Sequence, residues 1–140
     1  MGLFNYIYKY DLVTLKIKKI MTTQEVANRF MELSKEGKYD QIQDELYASD
    51  CESIEPANAL AAGLTSATGL EAIKEKGKKF NESIEEMHDG YTGDPIVAGN
   101  YFSVAMGMEA TFKGAGRMRM DEIAVYEVKD GKISKEQFFF

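Results

Sequence analysis

Residues 101–128 read YFSVAMGMEATFKGAGRMRMDEIAVYEV, and the alternation within them decides the fold. Within a strand read from Ile96 to Phe112, the residues Phe102, Val104, Met106, Met108, Ala110 and Phe112 recur at every second position, the period of a strand with one buried face. Tyr101, Ser103, Ala105, Gly107, Glu109 and Thr111 fall on the opposite face. Lys113-Gly114-Ala115-Gly116 supplies a hairpin connection, and Arg117 to Val128 returns as the next strand. Lys129-Asp130-Gly131 is a further turn and Ile133 to Phe140 a last strand, so the chain ends in an antiparallel meander.

Working toward the N-terminus, Gly93-Asp94-Pro95 is a turn, and the chain is extended around Ser83 to Tyr91. Before that lie three helical patterns. Thr22-Thr23-Gln24-Glu25 offers a capping box, followed by Val26, Phe30 and Leu33 at helical spacing, with Gly37 as the stop. A second helix places Tyr39, Ile42, Leu46 and Tyr47 on one side. A short strand from Cys51 to Glu55 ends at Pro56, and the small-residue run from Ala57 to Ala67 reads as a loop. Thr68-Gly69-Leu70-Glu71 suggests another capping box, and Leu70, Ile73 and Phe80 form the apolar stripe of the helix behind it. The order α-α-β-α followed by a meander defines an α+β fold. We expect three helices on a strongly curved, mostly antiparallel sheet, closing like a cone around an internal pocket.

Composition narrows the function classes. A chain of 140 residues with 44% hydrophobic and 29% charged residues is an ordinary globular protein large enough for one core. Its net charge of −6, without a basic patch, argues against nucleic acid and anionic membrane as partners. Lys76, Lys78 and Lys79 sit among Glu71, Glu75 and Glu82, the pattern of a solvated helix face. A single cysteine, Cys51, permits no intrachain disulfide and fits a cytoplasmic setting. Lysines interrupt every apolar run in the first twenty residues, so these form no membrane span. We read 1–20 as a peripheral extension and 21–140 as one domain.

The stretch LYASDCESIEP (46–56) after the second helix, with VYEVKDGKI (125–133) before the last strand, resembles the nuclear transport factor 2-like superfamily, in its SnoaL-like and ketosteroid isomerase-like branch. The resemblance covers about Thr22 to Phe140. It implies the cone fold, and a function among isomerases, polyketide cyclases, dehydratases and non-catalytic binding domains. In ketosteroid isomerases an acid just before a proline shuttles the proton, a place held here by Glu55 before Pro56. An aspartic acid early in the penultimate long strand donates to the oxyanion, and Asp121 falls there. The third partner is a tyrosine on the first helix. Here that position is Phe30, which has no hydrogen to donate.

Each candidate has two readings. Glu55 is either a solvated turn carboxylate or a base whose desolvation brings it toward neutrality. Asp121 either pairs with Arg119 on an exposed face or, alternating with Ile123 and Val125, is a buried acid kept neutral to donate. His88, the sole histidine, is either a satisfied surface residue or a catalytic group of the dehydratase kind; one histidine without clustered ligands makes no metal site. The pocket wall would comprise Phe30, Phe102, Val104, Met106, Met108 and Ile123, with eight methionines in the chain lending adaptability. Two functions follow. One is a cofactor-free isomerase, cyclase or dehydratase acting on a small apolar carbonyl compound; the other is a module that binds an apolar ligand or a dimer partner without chemistry. A homodimer is expected through the outer sheet face, around Tyr101, Ala105, Gly107, Ala124 and Tyr126.

Overall fold

The computed structural model describes residues 19–140, so the expectation for the N-terminal extension lies outside the described residues apart from its last two positions. Helix α1, Thr23–Lys35, begins with the expected capping box. Glu25 N–H donates to Thr22 Oγ1 at 3.2 Å, and Thr22 N–H donates to Glu25 Oε2 at 2.7 Å. Val26, Ala27, Phe30, Met31 and Leu33 form its buried face.

Helix α2, Tyr39–Leu46, passes directly into strand β1, Tyr47–Ile54. That direct passage corrects two expectations. Tyr39 is mostly exposed, and Tyr47 opens the strand instead of closing the helix stripe. After β1 come a 3-10 helix, Ala57–Ala62, and a two-residue strand β2, Ala67–Thr68. Helix α3, Leu70–Ser83, carries no capping box: Gly69 is the N-cap, because Thr68 is engaged opposite Glu52 in the β1–β2 ladder.

Five more strands complete the sheet: β3 Ile84–Thr92, β4 Ile96–Ala98, β5 Tyr101–Phe112, β6 Gly116–Lys129 and β7 Lys132–Phe139. The spatial order is β2-β1-β7-β6-β5-β3, with β4 also paired to β5. Only β1 and β7 run parallel among the described pairs. The β6–β7 turn uses Asp130 and Gly131, both with positive φ (51° and 74°), the two-residue hairpin whose twist matches that of the strands. Register shifts in the β1–β7, β3–β5 and β6–β7 ladders bend the sheet. The result is an α+β fold with an unclosed, curved sheet.

Which face is interior follows from the β5–β6 register. Phe102 lies opposite Tyr126, Val104 opposite Ala124, Met106 opposite Glu122 and Met108 opposite Met120. Directly opposed residues share a face, so the even-numbered positions of both strands turn toward the helices. Phe30, Phe102 and Tyr126 pack as an aromatic trio with centroids 4.7–5.6 Å apart. Ala124 and Tyr126 are therefore core residues, not members of the outer face assigned to them above. The convex face instead presents Tyr91, Tyr101, Ile123 and Phe139, all exposed large residues.

Candidate active site on the concave face

Alternation along β1 buries Cys51 and Ser53 while Asp50 and Glu52 stay exposed. Glu55, one residue past the strand, continues the inward phase: 8% of its side chain is exposed. Its own N–H donates to Ser66 Oγ at 3.0 Å, which fixes the chain as it enters Pro56. The cation opposite comes from α3. Lys76 Nζ donates to Glu55 Oε1 at 2.8 Å and to Ser53 Oγ at 2.6 Å, with 16% of its side chain exposed. This reverses the solvated-face reading of Lys76. It lies three residues after Ile73 and four before Phe80, on the apolar stripe itself. Its ammonium stands 5.6 Å from the centre of the Phe138 ring, a cation–π contact.

Behind this pair lies Glu136 on β7, beside Ser53 in the parallel ladder and 5% exposed. Burial pushes its carboxyl up, against the pull of hydrogen bonds from Tyr47 and Ser53 and of the Lys76 charge. The Tyr47 hydroxyl donates to Glu136 Oε2. Burial and the adjacent Glu136 hold the Tyr47 phenol well above its ordinary range, so it remains a donor.

Glu122 completes the group. It faces inward from β6 opposite Met106 and is half-buried. Burial, then the nearby Glu55 and Glu136, push its carboxyl up to about 7, and Lys76 only partly opposes them. Among the described residues three carboxylates thus share one ammonium on the concave side. A carboxyl poised near neutrality exchanges its proton readily at physiological pH, the property a general acid or base needs.

The other predicted residues go elsewhere. Asp121 points to the convex side, accepting from Arg119 at 2.9 and 3.1 Å and from the Tyr91 hydroxyl at 3.0 Å. Those bonds hold its carboxyl below the usual range, so it is not a neutral buried donor facing Glu55. Ile123 shares that convex face and is 53% exposed, which removes it from any interior wall. His88 sits against Thr111 Oγ1 at 2.7 Å and near Glu86 at 3.9 Å, in a group apart from Glu55. Phe30, Phe102 and Val104 face inward but are packed solid in the core, whereas Met106 and Met108 are half-buried. Burial pushes the Cys51 thiol up to about 12, far from a reactive thiolate.

The sequence reading missed Ser53, Lys76, Glu122 and Glu136. A signal existed for Glu122: carrying the even-numbered phase of β5 around the hairpin turns residue 122 inward, not 121. Among the described residues no three His, Cys, Asp or Glu side chains gather as a metal site would require. No described helix is long and apolar enough to cross a membrane. A shallow depression of about 380 Å³ lies between Gly37–Gln41 and Asn81. It is open and polar and contains none of the carboxylate cluster, so the chemistry points to the concave face instead.

An open α+β cone is the fold that nuclear transport factor 2-like proteins share, and here acids converge beneath its third helix. The chain belongs to the SnoaL-like domain family, whose sequence signature matches residues 21–140. It is similar, at 33% identity, to a candidate SnoaL-like polyketide cyclase from Mesorhizobium loti, covering 86% of this chain and all of the other with a TM-score of 0.76. An NTF2-like protein from Burkholderia thailandensis shares the fold at 16% identity, with 86% and 91% coverage and a TM-score of 0.71. TerC, solved with polyporic acid, does so at 19% identity, with 82% and 91% coverage and a TM-score of 0.65. No curated protein matches the chain.

Proposed function

We propose that the concave face is a pocket for a small apolar molecule, and that its carboxylates perform acid–base chemistry on a carbonyl compound, as an isomerase, cyclase or dehydratase does. The observation that carries this reading is Glu122, an acid brought to about 7 and set beside the Glu55–Lys76 pair. Glu122 moves the proton. Glu55, offered by its place before Pro56, remains the second acid–base group, now opposite Glu122 rather than Asp121. Half-buried Met106, Met108 and Met120 provide an adaptable apolar wall leading to Glu122. The 33% identity to a candidate polyketide cyclase supports the same class. The reading invokes no cofactor, and we place the protein in the cytoplasm as a homodimer joined through its convex face.

The test is exchange of the acidic α-protons of 2-tetralone in deuterium oxide, followed by proton NMR. The expected result is catalysed exchange that falls by roughly a hundredfold to ten-thousandfold in Glu122→Gln. Binding of 2-tetralone without catalysed exchange would sink the enzymatic reading. It would leave the second one, a non-catalytic ligand-binding or dimerisation module. Phe30 at the place of a tyrosine donor, and Asp121 turned outward, favour that alternative.

A further inference from the structure

We propose that Lys76 is a fixed hydrogen-bond donor to an oxygen of the bound molecule, and that Ser53 is the residue that positions it. This rests on reading the concave face as a ligand pocket. An ammonium carries three N–H donors and no acceptor. Two are directed at Ser53 Oγ and Glu55 Oε1. Among the described residues the third has no acceptor. Because lysine can only donate, Ser53 must accept from it, which leaves the single Ser53 proton free to turn toward Glu136, its strand neighbour. Tyr47 donates to the same Glu136. A continuous chain of polar groups therefore runs from Tyr47 through Glu136 and Ser53 to Lys76 and Glu55. It joins α3 to both parallel strands, and Ser53 and Glu136 in its middle are shut away from solvent.

Such a chain fixes a side chain that is ordinarily among the most mobile, so that the remaining N–H is aimed in advance. Lys76 stands over Phe138, which lies opposite Ala124 on β6, two positions from Glu122 in the same inward phase, so the free donor and the acid stand on one side of the sheet. The chemistry of the ligand follows. Glu55, Glu122 and Glu136 oppose a carboxylate, whereas a neutral molecule offering a carbonyl oxygen satisfies the donor. Met106, Met108 and Met120 suit a flat apolar body behind that oxygen.

The test compares acetophenone with α-methylstyrene, in which a methylene group replaces the carbonyl oxygen at nearly the same shape. Amide chemical-shift titrations give both affinities for the whole protein. Wild type is expected to favour acetophenone by about tenfold or more, the worth of one hydrogen bond to a charged donor. Ser53→Ala should erase the preference while leaving α-methylstyrene binding unchanged, and Ser53→Thr, which keeps the hydroxyl, should restore it. Equal affinity of wild type for the two probes would overturn the donor role. An undiminished preference in Ser53→Ala would overturn the positioning role. Failure of wild type to bind either probe would instead strike the pocket reading beneath both.

Discussion

Asp121 and Glu122 are neighbours on β6, carry the same functional group, and face opposite sides of one sheet. On the outer side of β5 and β6 three acids each have a partner of their own: Arg119 and Tyr91 on Asp121, Arg117 on Glu109, Ser134 and Tyr101 on Glu127. Their carboxyls are held below the ordinary range by those hydrogen bonds. On the concave side three acids face a single ammonium, and burial is the largest influence on both Glu122 and Glu136. Charge is plentiful on both faces. What differs is access to water and the ratio of acids to cations, and these move the carboxyls in opposite directions.

The largest effect should come from removing Lys76, the one cation of this interior group among the described residues. Lys76→Met leaves Glu55 buried without its partner, and breaking a buried pair by deleting one member costs about 3–5 kcal/mol. The matching convex change, Arg119→Met, should leave the urea midpoint where it was, because exposed pairs contribute little. Adding Glu55→Gln to Lys76→Met should recover part of the loss, as expected when two groups are coupled. Equal midpoints for the Lys76 and Arg119 variants would break the contrast between the faces.

The pH dependence sharpens the contrast, since the two neighbours must act with opposite sign. Glu122 moves from 4.5 to about 7 on folding, so between those values the folded state holds the extra proton. Its contribution is fully present below about pH 4.5 and is lost as pH rises through 7. Discounted for its partial exposure, the loss is about 1–2 kcal/mol. Asp121, lowered on folding, contributes above its unfolded pKa and loses that contribution as pH falls through its folded value. Denaturant titrations at a series of pH values should therefore show Glu122→Gln gaining on wild type between pH 5 and 7.5. A parallel pair of curves would mean that Glu122 is not desolvated.

The same two residues show how far the sequence was legible. The strands, their turns and the α1 cap are written locally, in alternation, in Asp130-Gly131 and in Thr22 with Glu25, and the structure has them. Glu55 was recoverable because a proline marks the end of its strand. The phase of β6 was not read correctly because both of its faces look apolar beyond residue 122: Ile123 and Val125 on one side, Ala124, Tyr126 and Val128 on the other. Only the register with β5 separates them, and register is a property of two strands together. Lys76, Ser53 and Glu136 were harder still. Their partners lie 21 to 89 positions away along the chain, and a lysine among charged neighbours on a helix looks solvated until the fold shows what covers it.

The convex face carries the next prediction, smaller in stability than in assembly. Ala105 lies opposite Ile123 at the centre of this exposed apolar surface. A two-fold partner needs one self-complementary patch, and Ala105→Arg would place two unpaired guanidinium groups near each other across it. Light scattering should give twice the protomer mass for the unaltered chain and the protomer mass for the variant, with the fold retained by circular dichroism. A protomer mass for both at micromolar concentration would sink the dimer.

The smallest effect expected is at Asp121, where absence of change is the informative result. Asp121→Asn keeps the side-chain shape and an oxygen to accept from Tyr91, and gives up the charge and one of the two oxygens that accept from Arg119. If the reacting space lies on the concave side, exchange of the 2-tetralone α-protons should proceed at the unaltered rate in this variant, while Glu122→Gln, one residue further along, abolishes it. The sheet separates the two positions, so the pair of substitutions tests the face of action directly, with strand, hairpin and local backbone in common. The reverse outcome, loss of exchange in Asp121→Asn with Glu122→Gln unaffected, would move the chemistry to the convex side. It would make Tyr91 and Arg119, rather than Lys76, the groups around the reacting atoms.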